Sequence, residues 1–182
     1  MLHAREDQRR PRRCEGDLAR ASPLVTIGAV QERFQVLRVT AGGREFALDV
    51  GLVRAIERPV HRVRLPGAPA YVRGVVEVRG QAVAVVDLAA RLGLPASTPG
   101  PDQAVVVVDS AEPVALAVDA LGEVDALAPE ELRELGPRGL AAGLRAVAPG
   151  GTVVLEVEPL VDGRPLEPAG LALIEQEQQA RT

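Results

Sequence analysis

Apolar and polar positions alternate along much of this chain with the two-residue period of a half-buried strand, not the 3.6-residue period of a helix. The first such segment is Phe34-Gln-Val-Leu-Arg-Val39, and Gly42-Gly43 turns it into a second over Arg44–Val50. Leu52–Ile56 reads as a short helical turn or the entry to a strand, and Arg58–Pro69 as a loop containing Leu65-Pro66-Gly67. Two β-branched runs, Tyr71–Val78 and Gln81–Val86, flank Arg79-Gly80 and predict a hairpin. The Asp87 carboxylate can accept the free first-turn N–H groups of a short helix over Leu88–Leu92, which Gly93 and Pro95 stop. Pro95–Pro101 is a linker, and the scheme then recurs. Ala104–Asp109 and Val114–Val118 are strands joined around Ala111-Glu112-Pro113. Pro129–Leu135, with proline in its first turn and acids near its positive end, predicts a short helix. Ala142–Ala148 and Thr152–Val157 pair around Gly150-Gly151.

The second half echoes the first. Phe46-Ala-Leu-Asp-Val50 aligns with Val114-Ala-Leu-Ala-Val118, and Gly80–Asp87 aligns with Gly151–Glu158 at a similar offset. Two origins fit: a degenerate internal duplication, or chance likeness between strands rich in alanine and valine. A duplication predicts two similar small β-barrels packed together with a groove between them, few strand edges being left exposed.

Residues 1–32 change the picture at one end. They are rich in arginine, poor in large apolar side chains and without sustained periodicity, which predicts a disordered leader. Within it, Leu24–Val30 is a brief apolar patch that either adds an edge strand or stays loose. The ordered domain is expected over 33–163, as subdomains of about 33–95 and 102–160, followed by a tail over 164–182 with room for a short helix. A domain of this size needs no disulfide or metal to fold. The single cysteine, Cys14, sits in the polar leader and fits a reducing compartment. No apolar run reaches the roughly 20 residues of a membrane span. Arg5, Glu6, Asp7, Arg9 and Arg10 interrupt any signal-like apolar stretch. A soluble cytoplasmic protein is expected, with no direct membrane insertion.

Net charge is −4 and aromatic residues make up 2% of the chain, which argues against a nucleic-acid binder. The charge is unevenly spread. Six arginines face only Glu57 and Glu77 between Arg54 and Arg79, whereas nine acids face only Arg133 between Asp102 and Glu134. Such a split gives either asymmetric protein contacts or two differently solvated faces. Catalytic constellations are wanting. His3 and Cys14 lie in the leader, His61 stands in a loop among arginines, and no serine sits in a G-x-S-x-G elbow. Two histidines and one cysteine lack the spacing of a zinc site, and the glycines form no phosphate-cradling motif. Neither metal nor cofactor is expected, and no catalytic residue is assigned.

The stretch Leu65–Leu88 resembles the CheW-like domain, in which a proline and an aromatic precede a glycine, followed by a strand, an N-L-R-G turn, an apolar strand and D-L. Pro69, Tyr71, Gly74, Arg79, Gly80, Asp87 and Leu88 stand at the matching positions. Upstream, FALDVGLVRAI (Phe46–Ile56) is similar to the family's Y/F-x-I-D-I-x-x-V-x-E-I; downstream, VALAVDALGEV (Val114–Val124) is similar to its V-G-I-x-V-D-x-V-x-D-V. The resemblance runs from about Phe34 to Asp162. It implies an all-β fold of two small five-stranded SH3-like β-barrel subdomains around a shared core, with short helices, and a non-catalytic adaptor. The implied partners are the regulatory domain of a CheA-type histidine kinase, the cytoplasmic tip of a chemoreceptor and other CheW-like domains in membrane-proximal receptor arrays.

The resemblance also assigns Arg79 to partner binding, with Val53, Gly74, Ala104, Leu121 and Val124 near a groove for a receptor helix. Residue chemistry alone favours a solvated turn residue for Arg79 and plain core packing for at least half of the others. Two departures stand out: Ala55 replaces the family's glutamate, and Glu77 replaces the asparagine before Leu-Arg-Gly. Glu77, or Glu57, is the candidate to pair with Arg79 instead. The alternatives to an adaptor are a competitor that binds one partner only, and a small β-barrel enzyme or ligand carrier.

Overall fold

The computed structural model describes residues 33–58, 62–96, 100, 103–166 and 172. The expectations for the leader, for most of the C-terminal tail, and for His3, Cys14 and His61 fall outside these residues. In chain order the elements are β1 (Phe34–Ala41), β2 (Arg44–Asp49), β3 (Val53–Glu57), β4 (Val72–Val78), β5 (Gln81–Asp87) and α1 (Leu88–Arg91). There follow β6 (Ala104–Val108), β7 (Val114–Val118), β8 (Ala120–Leu127), β9 (Arg133–Glu134), α2 (Gly136–Ala141), β10 (Leu144–Val147), β11 (Val153–Leu155) and α3 (Val157–Val161).

These strands form two mixed sheets, ordered β8-β1-β2-β11-β10-β9 and β3-β6-β7-β5-β4. Apart from the two-residue β9, the second order reproduces the first, with β3, β6, β7, β5 and β4 standing where β8, β1, β2, β11 and β10 stand. In each, a hairpin (β1–β2 or β6–β7) is joined through a parallel pairing (β2–β11 or β7–β5) to a second hairpin (β10–β11 or β4–β5). The segments that align in the sequence, 46–50 with 114–118 and 80–87 with 151–158, therefore hold equivalent places. The division of the chain into contiguous halves does not hold, however. Each sheet takes strands from both: β1 and β2 pair with β8 and with the β10–β11 hairpin, and β6 and β7 pair with β3 and with the β4–β5 hairpin. The all-β fold of two small SH3-like units around a shared core is present, but the units are interleaved.

Side-chain alternation builds three apolar regions. Val105, Val107, Ala115 and Ala117 point into the interior of the second sheet with Val76, Val78, Val83 and Val85. Their neighbours Ala104, Val106, Val108, Leu116 and Val118 point the other way, into a shared core with Phe46, Leu48, Leu88, Leu144 and Leu160. The first sheet has its own small interior of Val36, Ala47, Ala146, Ala148 and Val154. This explains the unbroken apolar run of β6: a strand covered on both faces loses its polar alternation. Arg91 fastens the two repeats together. The residue is 7% exposed, and its guanidinium donates to the carbonyls of Leu160 and Pro159 at 2.8 Å each and of Arg164 at 2.5 Å, and lies 4.6 Å over the Tyr71 ring. An α1 residue thus closes the carbonyl end of α3, where a cation also meets the negative end of the helix dipole.

Four elements differ from the sequence expectation; one is α3, a helix that begins at Val157, where a strand over Thr152–Val157 was expected. The helix expected over Pro129–Leu135 is a single 3-10 turn at Pro129–Glu131; Arg133–Glu134 is instead extended, pairing with Val147 and Ala146. Leu132, itself extended, is drawn into the first sheet's interior and leads directly into β9. β8 and α2 carried no expectation as elements. In β8, Asp125 takes a hydrogen bond from Arg38 of β1, whose guanidinium also reaches Glu45. That ion network, which holds the Arg38 pKa above its ordinary value chiefly through the Asp125 bond, secures an edge strand in which no residue is fully buried.

Candidate functional site

The β4–β5 hairpin carries the most distinctive local geometry. Val78 pairs with Gln81, leaving Arg79-Gly80 as a two-residue loop with φ of 51° and 79°. Two successive left-handed residues make the turn whose twist matches antiparallel strands, and Asn-Gly is its preferred sequence. Arg79 is the one described non-glycine residue with positive φ, a conformation that costs an arginine on the order of 1 kcal/mol. The side chain is exposed, and among the described residues neither Arg79, Glu77 nor Glu57 has a side-chain partner. The expected Glu77–Arg79 pair is therefore not formed. An exposed guanidinium on a strained backbone, with no counter-ion among the described residues, is a chemical feature the hairpin does not need for its own stability.

The rest of the resemblance motif divides between support and surface. The Asp87 carboxylate accepts from the Ala90 N–H at 3.2 Å, capping α1 as expected, and from Arg73 Nε and Nη2 at 2.8 and 2.5 Å. The Asp87 N–H donates to the Tyr71 carbonyl at 2.7 Å, and Leu88 is fully buried. Gly74 is buried in β4. A Cβ there would lie 2.2 Å from the Val63 carbonyl oxygen, and the φ of 131° is itself a glycine conformation. Ala104 is 0% exposed. Neither residue lines a groove. Gly74 allows segment 62–64 to pack on β4, and Ala104 belongs to the shared core.

Val53, Leu121 and Val124 stand on the two edge strands. Val53 opens β3 and pairs with Val108; Leu121 and Val124 lie on β8 opposite Val39 and Leu37. Val124 is 56% exposed, and Ile56, at the other end of β3, is 44% exposed. Val53 and Leu121 are half-buried against the shared core. Beside Val53 the sequence reading missed a cleft of about 490 Å³. Leu52, Val114, Val157 and Val161 contribute apolar lining, and Asp109, Glu112, Glu156, Glu158 and Asp162 contribute acids. Acids of the second half were legible as an electronegative tract, but only the folded position of α3 adds Glu156, Glu158 and Asp162 to it.

Among the described residues no group of three His, Cys, Asp or Glu side chains is arranged to hold a metal, and no helix is long and apolar enough to cross a membrane. What the geometry offers is surface: a charged hairpin tip, two partly apolar edge strands and an acid-lined cleft on a double-sheet frame. These are the attributes of a scaffold that meets other proteins.

The CheW-like domain model matches residues 35–163, and the chain belongs to that family. It is 33% identical over 91 residues to the chemotaxis protein CheW of Rhizobium meliloti (strain 1021), a match covering 50% of this chain and 59% of that protein. It is 28% identical over 133 residues to the probable chemotaxis protein CheW of Rhizobium etli, covering 69% of this chain and 86% of that protein. The fold is similar to that of the scaffolding protein TtCheW from Thermoanaerobacter tengcongensis, with a TM-score of 0.66 at 20% identity, over 73% of this chain and 97% of that one.

Proposed function

We propose that this protein is a non-catalytic cytoplasmic adaptor that couples the tips of chemoreceptors to the regulatory domain of a CheA-type histidine kinase within a receptor array. The observation that carries this reading is the family match across 35–163, joined to an exposed, strained Arg79 at the family's hairpin position. A guanidinium presents a planar fork of donors to a partner carboxylate, so Arg79 is the contact for an acidic partner surface. The edge strands carrying Val53, Leu121 and Val124 supply apolar contact area for a receptor helix. The fold would hold these surfaces without itself reacting.

The test is Arg79→Glu. The fold should persist, since an exposed loop residue adds little to the core, while association with receptor and kinase falls at least about tenfold, the equivalent of roughly 1.4 kcal/mol. Wild-type binding by a folded Arg79→Glu protein would remove Arg79 from the interface. A second reading, a competitor that retains one partner only, is favoured by Ala55. This side chain packs against the valine-rich interior of the second sheet, where the family has a glutamate. Kinase binding without receptor binding would support that reading.

A further inference from the structure

Residues from segment 62–70 and the start of β4 line an open cleft of about 520 Å³: Arg62, Arg64 and Arg73 together with Leu65, Ala68, Pro69, Ala70 and Val72. We propose that this cleft binds a phosphate monoester carried on a small organic body such as a nucleoside, the phosphate lying between Arg62 and Arg64 and the body against the apolar wall. None of Arg79, Val53, Leu121 and Val124 lines this cleft.

The cleft is built, not incidental. Val63 and Val75 exchange two backbone hydrogen bonds, Val63 N–H to the Val75 carbonyl at 2.9 Å and Val75 N–H to the Val63 carbonyl at 2.8 Å. That bridge exists because Gly74 has no Cβ to strike the Val63 carbonyl. It sets Arg62 and Arg64 alongside Arg73. The three guanidinium groups then differ in what answers them. Arg73 is bound to Asp87 at 2.5 Å. Arg62, half-buried, donates at 2.5 Å to Gln103 Oε1, an uncharged acceptor. Arg64 is exposed, and neither Arg62 nor Arg64 has a carboxylate partner among the described residues. Burial, and then the neighbouring Arg73 charge, push the Arg62 pKa down, only partly opposed by Asp87. A part-buried cation without a counter-ion is costly, and an anion in the cleft relieves that cost.

Charge and shape choose the anion. Two unanswered guanidinium groups match a phosphate monoester, which carries about −1.5 to −2 at neutral pH, better than a singly charged carboxylate. Arginine forks also suit tetrahedral oxyanions bidentately. The volume falls in the usual range for small-ligand sites, about 300–1,000 Å³. Leu65, Pro69 and Val72 give an uncharged body something to cover.

The experiment is calorimetric titration of the full chain with adenosine monophosphate, adenosine and inorganic phosphate. Adenosine monophosphate should bind more tightly than either of the others. Its affinity should fall at least about tenfold in Arg62→Gln and in Arg64→Gln, be unchanged in Arg79→Gln, and weaken with added salt. Thermal melts establish that each variant is folded; Arg64 is exposed, so Arg64→Gln keeps the test open even if Arg62→Gln unfolds. No binding to wild type, binding unaffected by both substitutions in folded protein, or adenosine binding as well as its monophosphate overturns the proposal. Inorganic phosphate binding as well as adenosine monophosphate overturns the assignment of an organic body.

Discussion

Replacing Arg79 by asparagine separates what the hairpin needs from what a partner needs. Arg79 occupies the first left-handed position of a two-residue loop, with φ of 51°, followed by Gly80 at 79°. Asparagine tolerates this conformation far better than arginine and is the residue the turn prefers. The strain relieved is on the order of 1 kcal/mol, and no hydrogen bond or ion pair within the described residues is lost in exchange. At roughly 2–4 °C per kcal/mol for a chain of this size, Arg79→Asn should raise the melting temperature by about 2–4 °C. The same change removes the guanidinium, so affinity for an acidic partner should fall at least about tenfold. Arg79→Ala is the control: it loses the charge but keeps the strain, so it should bind as poorly as the asparagine variant without its gain in stability. Differential scanning calorimetry beside a binding isotherm reads both effects. A fall in melting temperature for Arg79→Asn would show that Arg79 stabilises the native fold, and the argument that its strain is tolerated for binding would fail.

Three further outcomes follow from the packing. Val85→Asp, at a fully buried position inside the second sheet, places an unpaired carboxylate among valines at a cost of several kcal/mol and should abolish cooperative unfolding in a thermal melt. Gly74→Ala should destabilise by about 2 kcal/mol or more in a urea titration, because a Cβ meets the Val63 carbonyl and alanine resists positive φ. It should also weaken adenosine monophosphate binding, since it displaces Arg62 and Arg64. Arg91→Ala leaves the Leu160, Pro159 and Arg164 carbonyls without their donor, so about 2–4 kcal/mol of stability should be lost in the same assay.

Local signals carried much of this fold. The β4–β5 hairpin was legible because two β-branched runs flank a dipeptide ending in glycine, and the α1 cap because Asp87 stands just before a short apolar stretch. The repeat was legible in β2 and β7. Its interleaving was not, since nothing local records that β3 and β8 pair with strands of the opposite repeat. β8 itself, Ala-Leu-Gly-Glu-Val-Asp-Ala-Leu, holds two acids and a glycine, and it becomes a strand through pairing with β1 and the Arg38–Asp125 contact. Pro129–Leu135 had proper helix-start chemistry, but the burial of Leu132 overrode it. The place of Arg79 in the hairpin turn was readable from the two runs that flank it. Ala104 and Gly74 were misplaced because one strand's sequence does not say whether its second face is covered. The acid-lined cleft was missed because α3 joins it only through tertiary packing.

The central claim is that this chain joins two partners at once. Size-exclusion chromatography of the full protein with a chemoreceptor cytoplasmic fragment and the regulatory domain of a CheA-type kinase, each alone and then together, tests it most directly. The adaptor reading predicts two binary complexes and a larger ternary one, with Arg79→Glu depleted from the ternary peak. Failure to co-elute with either partner, or binding of receptor and kinase only in mutual exclusion, would contradict it.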